Sequence, residues 1–332
     1  MSSDIDPAAL LAVPTAGITL AVVGNPSVVA ALRQITSPFY QPVTAPRGEV
    51  WTLSLYIGDP GVEAADEPAH RAEFDMAARR ITVRCAKAAW LPVFGTRYAR
   101  TLVRALTIGR GAVPLHGAAV EFDGIGVILV GDKMAGKTTS ALSLVRCGAA
   151  LVSNDDVLLV KDAVDDWRLI GGPRSVGIRL GSLAEHRPAL TVDEVAAATA
   201  GHPANRADKH FLHPGDIGRL GGVARVQAPG RVLIELVCEP GPTRSRRLDG
   251  DEAAAVLSVY LEDAADRRRF DLIGALGAPA PALTADTVGS LVRGLDFYRF
   301  SHPISGWVDD LLAFVKDIAA QRGGSDTAEV MA

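Results

Sequence analysis

Residues Gly131-Asp132-Lys133-Met134-Ala135-Gly136-Lys137-Thr138 match the pattern G-x-x-x-x-G-K-[ST]. Residues of these types at this spacing handle polyphosphate. Gly131 and Gly136 let the backbone curl, so that its N–H groups point inward at an anion. A helix starting at the end of the loop adds the partial positive charge of its N-terminus. In such a loop Lys137 reaches the β- and γ-phosphates and the Thr138 hydroxyl is a Mg²⁺ ligand. Nucleotide contacts are therefore expected at Gly131, Ala135, Gly136, Lys137, Thr138 and Thr139, with ATP and Mg²⁺ as cofactors. Asp132 and Lys133 are charged guests in this loop and are expected to pair with each other.

A second group of reactive side chains follows at Asn154-Asp155-Asp156, between the apolar runs 149–153 and 157–160. Carboxylates at a strand end beside a phosphate loop can hold Mg²⁺ or accept the proton of an attacking nucleophile. Asn-Asp-Asp is also turn chemistry, and a hairpin is the competing reading. His116 stands before a hairpin, 118–127, whose turn signal is Asp123-Gly124. A lone histidine is more often structural than catalytic.

The elements that position these groups can be read around them. The apolar run 127–130 is a strand leading into the loop. Thr138 to Arg146 is a helix with Ala141, Leu142, Leu144 and Val145 as its apolar members. From Leu115 onward, apolar strands alternate with helices, the α/β pattern. Upstream the signals are short strands at 18–23, 50–57 and 81–85, and 50–57 alternates as a half-buried strand should. A helix is expected over 96–108. Another begins at Trp307, with Gly323-Gly324 as its stop. The organisation expected is a smaller N-terminal α+β domain over 1–100, which would bind substrate or a partner. An α/β nucleotide-binding domain over 101–324 and a flexible tail over 325–332 follow.

Composition narrows the class. The chain has 332 residues, 48% of them hydrophobic and 22% charged, which is a globular composition with apolar residues enough for a sizeable core. Thirty-four basic against 38 acidic residues leave a net charge of −4. That is no global bias toward a polyphosphate backbone, so nucleic acid is not an expected partner. Residues 7–32 carry no charge, but Pro14, Gly17 and Gly24-Asn25-Pro26 interrupt them, and no membrane span is expected. The N-terminus has acid where a signal peptide has base. Three scattered cysteines fit a reducing cytoplasm. Arg267-Arg268-Arg269, with Asp263 and Asp266, reads as a solvated, salt-bridged helix face.

Taken in order, Leu115-His116-Gly117, a short hairpin, the phosphate loop, a helix and Leu151-Val152-Ser153-Asn154-Asp155-Asp156 resemble the kinase domain of HPr kinase/phosphorylase. They also resemble the related ATP-dependent phosphoenolpyruvate carboxykinases. His116 lies 21 residues before Lys137 and Asp155 lies 18 after it, and both intervals fit that family. The resemblance implies an α/β fold of that type and transfer of the γ-phosphoryl group of ATP to a hydroxyl. The acceptor would be a protein, a peptide or a small molecule such as an amino acid. It implies Asp155 as the base, His116 near it, and Asp156 supporting the metal or the base. Gly218-Arg219-Leu220-Gly221 resembles a segment carrying a catalytic arginine, which would be Arg219. Two departures stand out. Gly177-Ile178-Arg179-Leu180 lacks the carboxylate of the family's further metal signature, and the sequence after Pro229-Gly230-Arg231 differs from the segment linked to the phosphorylase reaction. Lys209, in a Pro/Gly-rich stretch, could neutralise a transferred phosphoryl group. Alternatives are an NTP-hydrolysing protein or a nucleotide-binding regulator without turnover. Assembly into a homo-oligomer is left open.

Overall fold

A computed structural model describes residues 9–58, 67–162, 166–181, 190–261 and 284–329 of the chain. The arginine cluster at 267–269 and the acidic N-terminus lie outside these residues.

The first sheet contains β1 (Ala9–Val13), β2 (Ile18–Gly24), β3 (Gln41–Val43), β4 (Glu49–Ile57), β5 (His70–Asp75) and β6 (Arg80–Cys85), in the order β3-β1-β2-β4-β6-β5. The alternation in 50–57 puts Trp51, Leu53 and Leu55 into the core. There they pack with α1 (Pro26–Thr36) and α2 (Leu91–Gly109) through Val29, Leu32, Phe94 and Leu102. Helix α2 begins five residues before the expected start at Thr96. Pro92 fits its first turn, where a backbone N–H has no intrahelical partner to lose. The helix serves both sheets. Its later residues Ala105 and Ile108 pack on Leu158 and Ile170 of the second sheet, so the expected division near residue 100 falls inside one helix.

The second sheet has ten strands. Its main path is β15-β10-β8-β9-β16-β12-β11-β7, and β18 and β17 extend from β16. These are β7 (Val113–Leu115), β8 (Ala118–Phe122), β9 (Ile125–Val130), β10 (Ala150–Ser153), β11 (Val157–Lys161), β12 (Trp167–Ile170), β15 (Val223–Ala224), β16 (Gln227–Cys238), β17 (Arg244–Arg247) and β18 (Asp296–His302). The β8–β9 hairpin turns at Asp123-Gly124 as expected, with both residues at positive φ, 48° and 83°. Strands β8 and β9 are buried throughout. Val120, Val127, Leu129 and Ile234 face one core, and Ala119, Ile128, Val130 and Leu233 face another. Burial on both faces is why these strands read as continuous apolar runs. Helices α3 (Lys137–Arg146), α4 (Val192–Ala198) and α7 (Val308–Glu329) cover the first face. Helices α5 (Gly250–Tyr260) and α6 (Ala285–Gly294) cover the second. The expected stop at Gly323-Gly324 does not end α7, which continues to Glu329. A separate two-stranded ribbon, β13 (Val176–Arg179) with β14 (Lys209–Leu212), lies beside the loop. No helix of the described residues is long and apolar enough to cross a membrane.

Candidate active site

Strand β9 delivers the chain into the glycine-cornered loop, and α3 begins at Lys137, immediately after it. Gly136 has φ +84°, and a Cβ there would lie 2.8 Å from Cζ2 of buried Trp307. Both facts restrict the position to glycine. Trp307 packs against His302 at 4.2 Å between ring centroids with the rings tilted by 30°, and His302 Nε2 lies 3.3 Å from the Ala135 carbonyl oxygen. This aromatic pad beneath the loop is not visible in the sequence, where Trp307 reads only as the apolar face of a helix.

The Lys137 ammonium donates to the carbonyl oxygens of Gly131, at 2.6 Å, and Asp132, at 3.0 Å. Burial lowers its pKa, against the attraction of Asp155 and Asp132. Asp132 and Lys133 do not pair with each other. The Asp132 carboxylate lies 3.5 Å from the Tyr260 hydroxyl, while Lys133 lines a cavity beside the loop. The Thr138 hydroxyl donates to Asn154 Oδ1 at 3.1 Å, and Asn154 is buried. Asn154 thereby orients the one hydroxyl that the loop motif needs. The sequence signal for it was its place in the polar triplet at the strand end.

That triplet is not a hairpin turn. Strand β10 pairs with β8 and β15, whereas β11 pairs with β7 and β12, so the chain crosses between strands there. Asp155 has φ +59°, a left-handed conformation uncommon outside glycine, asparagine and aspartate. The two carboxylates separate. Asp155 faces a cavity of about 410 Å³, lined also by His116, Lys133, Lys137, Thr138, Arg179 and Lys209. Asp156 is engaged elsewhere. Its carboxylate meets Arg104 at 2.5 Å and Arg100 at 3.2 Å, both from α2. Burial pulls Arg100 down to about 10, against the attraction of Asp156. Asp156, expected to support the metal or the base, makes a buried ion pair between the two sheets. Arg219, expected to be catalytic, has local partners of its own. It donates to the Ala198 carbonyl oxygen, pairs with Asp216 at 3.4 Å and does not line the loop cavity.

The departure at Gly177 has a local explanation. Gly177, Arg179, Lys209 and Phe211 share one face of the β13–β14 ribbon. A Cβ at Gly177 would lie 2.6 Å from Lys209 Cε, and Lys209 Nζ sits 4.9 Å from the Phe211 ring centroid. The missing side chain is the space that the lysine stem occupies. Gly177→Val is expected to displace Lys209 and lower turnover about tenfold. That is short of the roughly 10²–10³-fold cost of deleting a fixed charge-stabilising donor, because the ammonium keeps its charge and can re-seat. Steady-state rates of parent, Gly177→Val and Lys209→Met would check this. A parental rate in Gly177→Val removes the spatial argument.

Behind the ribbon, Ser175 Oγ lies 3.3 Å from His202 Nε2 and 3.1 Å from His213 Nδ1. Burial pulls His202 down to about 3 and His213 to about 4. Both imidazoles are therefore neutral in the folded protein near pH 7, while an unfolded histidine titrates near 6.5. Their stabilisation is complete above pH ~6.5 and is lost as pH falls toward the folded values, because the unfolded chain binds more protons there. The urea midpoint is expected to fall between pH 6.5 and 4, with a shallower fall in His213→Gln. A flat profile in the parent would contradict it.

Among the described residues no group of three or more His, Cys, Asp or Glu could hold a metal ion. Mg²⁺ needs only one or two protein oxygens when phosphates and water supply the rest. The Thr138 hydroxyl and the Asp155 carboxylate line one cavity and fit that requirement.

Fold and site together define an α/β protein in which a glycine-cornered loop joins a central strand to a helix N-terminus, facing a cavity lined, among the described residues, by several cations and one carboxylate. No family model matches the chain. Among curated proteins it is similar to HPr kinase/phosphorylases, and in this sense it is an HPr-kinase-like protein. It is 42% identical to that of Clostridium beijerinckii over 69 residues, 21% of either chain. It is 42% identical to that of Limosilactobacillus reuteri over 57 residues, 17% of either chain. It is 29% identical to that of Levilactobacillus brevis over 184 residues, 52% of this chain and 58% of the relative. The chain thus spans about a fifth of the length of the first two relatives and somewhat over half of the third. Among solved structures, the HPr(Ser) kinase/phosphatase of Coxiella burnetii aligns with 63% of this chain and 98% of its own, at 13% identity and a TM-score of 0.35.

Proposed function

We propose that the chain is a P-loop kinase that transfers the γ-phosphoryl group of ATP to a hydroxyl, with Asp155 as general base. The observation that carries this is the convergence of Lys137, Thr138, His116, Asp155 and Lys209 on one cavity. The loop amides and the N-terminus of α3 favour phosphate oxygens. Lys137 and Lys209 bring positive charge to where a phosphoryl group would pass, and in phosphoryl transfer positioning and charge neutralisation supply most of the rate. Mg²⁺, held through Thr138 and its phosphate oxygens, would neutralise charge on the β- and γ-oxygens. Asp155 takes the proton of the acceptor hydroxyl, and His116 stands on the same wall to hydrogen-bond the incoming group. Asp156 anchors rather than reacts.

The similarity to HPr kinase/phosphorylases supports a hydroxyl acceptor over water. Incubating the protein with γ-labelled ATP and a size-fractionated cell extract tests the reading. Label is expected in an acceptor, and its appearance should depend on Asp155. Label recovered only as inorganic phosphate would favour hydrolysis and overturn the kinase reading.

A further inference from the structure

Two charged residues of the phosphate loop, Asp132 and Lys133, take no part in the steps given to Lys137, Thr138 and Asp155. Both are exposed. Asp132 is engaged: its carboxylate lies 3.5 Å from the Tyr260 hydroxyl, and its carbonyl oxygen accepts from Lys137 at 3.0 Å. Lys133 is not. Among the described residues its ammonium has no ion pair and no hydrogen bond. The carboxylate next to it in the chain therefore does not neutralise it.

Lys133 stands between two cavities. One is the cavity of about 410 Å³ that also holds Lys137, Thr138, Asp155 and Lys209. The other, of about 930 Å³, adjoins the loop at the ends of β16 and β18. Lys133, Met134 and Gly136 line both. The backbone there is shaped for an anion. Met134 has φ +76° and Gly136 φ +84°, while Lys133 and Ala135 keep negative φ. This alternation turns successive N–H groups toward one point, the geometry of an anion-binding nest. A left-handed backbone is uncommon for methionine, and Met134 is 64% exposed, so burial of its side chain does not offset that conformation. The bend serves the loop, and it carries the Lys133 side chain on its crest.

Resting on the kinase reading, we propose that Lys133 is a further catalytic residue, the cation that the loop itself brings to the γ-phosphoryl group. In a loop of this type the backbone amides and Lys137 hold chiefly the part of the triphosphate that ADP shares. Lys133 lines the cavity in which Asp155 would meet the acceptor, beside the oxygens that are transferred. Its ammonium has three donors on a flexible stem and no ion pair to break first. Lys137, by contrast, has to leave the carbonyl oxygens of Gly131 and Asp132 to reach phosphate. In the step, the acceptor oxygen forms a bond to the γ-phosphorus, the bond from that phosphorus to the β,γ-bridging oxygen breaks, ADP leaves, and the hydroxyl proton passes to Asp155. Lys133 keeps its protons throughout. It neutralises charge on the γ-oxygens as they move, which is what cations contribute in phosphoryl transfer.

The test is Lys133→Met in the full chain, which keeps the stem and removes the charge. Calorimetry reads affinity for ADP and for the β,γ-imido analogue of ATP, each with Mg²⁺. ADP affinity is expected to stay within a few-fold, while affinity for the analogue falls about tenfold, the worth of one hydrogen bond between charged groups. Single-turnover transfer from γ-labelled ATP to a size-fractionated cell extract should fall by roughly 10²-fold. Lys133→Arg restores the charge and should recover most of the analogue affinity. Lys316→Met removes an exposed charge from α7, controls for net charge and should match the parent. Equal loss of ADP and analogue affinity in Lys133→Met would put the ammonium on the other phosphates, and parental affinities would leave it in solvent; either result overturns the proposal. Parental transfer in Lys133→Met overturns it too, and leaves the kinase reading standing. Label that reaches no acceptor in any variant overturns the kinase reading instead, and the ratio of analogue to ADP affinity then decides the γ-contact alone. A parent that binds neither nucleotide overturns both.

Discussion

Asp155→Asn is expected to cut phosphoryl transfer by about 10²–10⁴-fold, the usual worth of a general base, while ATP affinity stays within a few-fold. The substitution isolates one property. Asparagine tolerates the left-handed backbone that Asp155 adopts, so the strand end should keep its shape. It keeps the size of the side chain and can still hydrogen-bond, but it cannot take a proton from a hydroxyl. The phosphate contacts expected of the loop lie on Lys137, Thr138 and backbone amides, which this change does not touch. Single-turnover transfer and ATP titration, measured on the same preparation, would separate the two effects. Near-parental transfer in Asp155→Asn would mean that the proton goes elsewhere, and the kinase reading would lose its base.

The parts of this site legible in the sequence are those made by contiguous residues. The loop, the strand before it and the helix after it are one local unit, and backbone geometry alone requires glycine at Gly136. The β8–β9 hairpin was visible for the same reason, in the positive-φ pair Asp123-Gly124. Long-range contacts were not visible. Arg100 and Arg104 sit on a helix where arginine normally faces water, and nothing near them in the chain announces a buried partner more than fifty residues away. The role of Gly177 was hidden because it consists of an absent side chain, which gains meaning only when Lys209 is seen across the ribbon. Arg219 rests on thinner ground, because a four-residue match with two glycines describes a turn as well as a site. The structure uses it to hold α4 to the turn at Asp216. Gly323-Gly324 failed as a stop because glycine lowers helix propensity by only about 1 kcal/mol per residue, an amount that context readily overrides.

Asp156→Asn is expected to destabilise the fold by about 3–5 kcal/mol, the cost of breaking a buried ion pair from one side. The side chains of Asp156 and Arg104 are only 7% and 4% exposed, and Arg100 is 18% exposed. Two guanidinium groups share this carboxylate. Asparagine could return one hydrogen bond but no charge, leaving two cations in a low-dielectric wall without their counter-ion. The pair also joins α2 to the segment after β10, so its loss loosens the packing between the two sheets. Asp155, half-exposed and linked to this network through Arg174 at 3.6 Å, should cost no more than about 1 kcal/mol when changed to Asn. Urea unfolding of the two variants side by side makes the contrast measurable: a lowered midpoint at similar slope in Asp156→Asn, and a near-parental curve in Asp155→Asn. Should Asp156→Asn keep parental stability and instead raise the Mg²⁺ concentration needed for half-maximal activity, the carboxylate serves the metal after all. Two adjacent aspartates, one of them in a left-handed conformation, would then share a task that the geometry divides between chemistry and architecture.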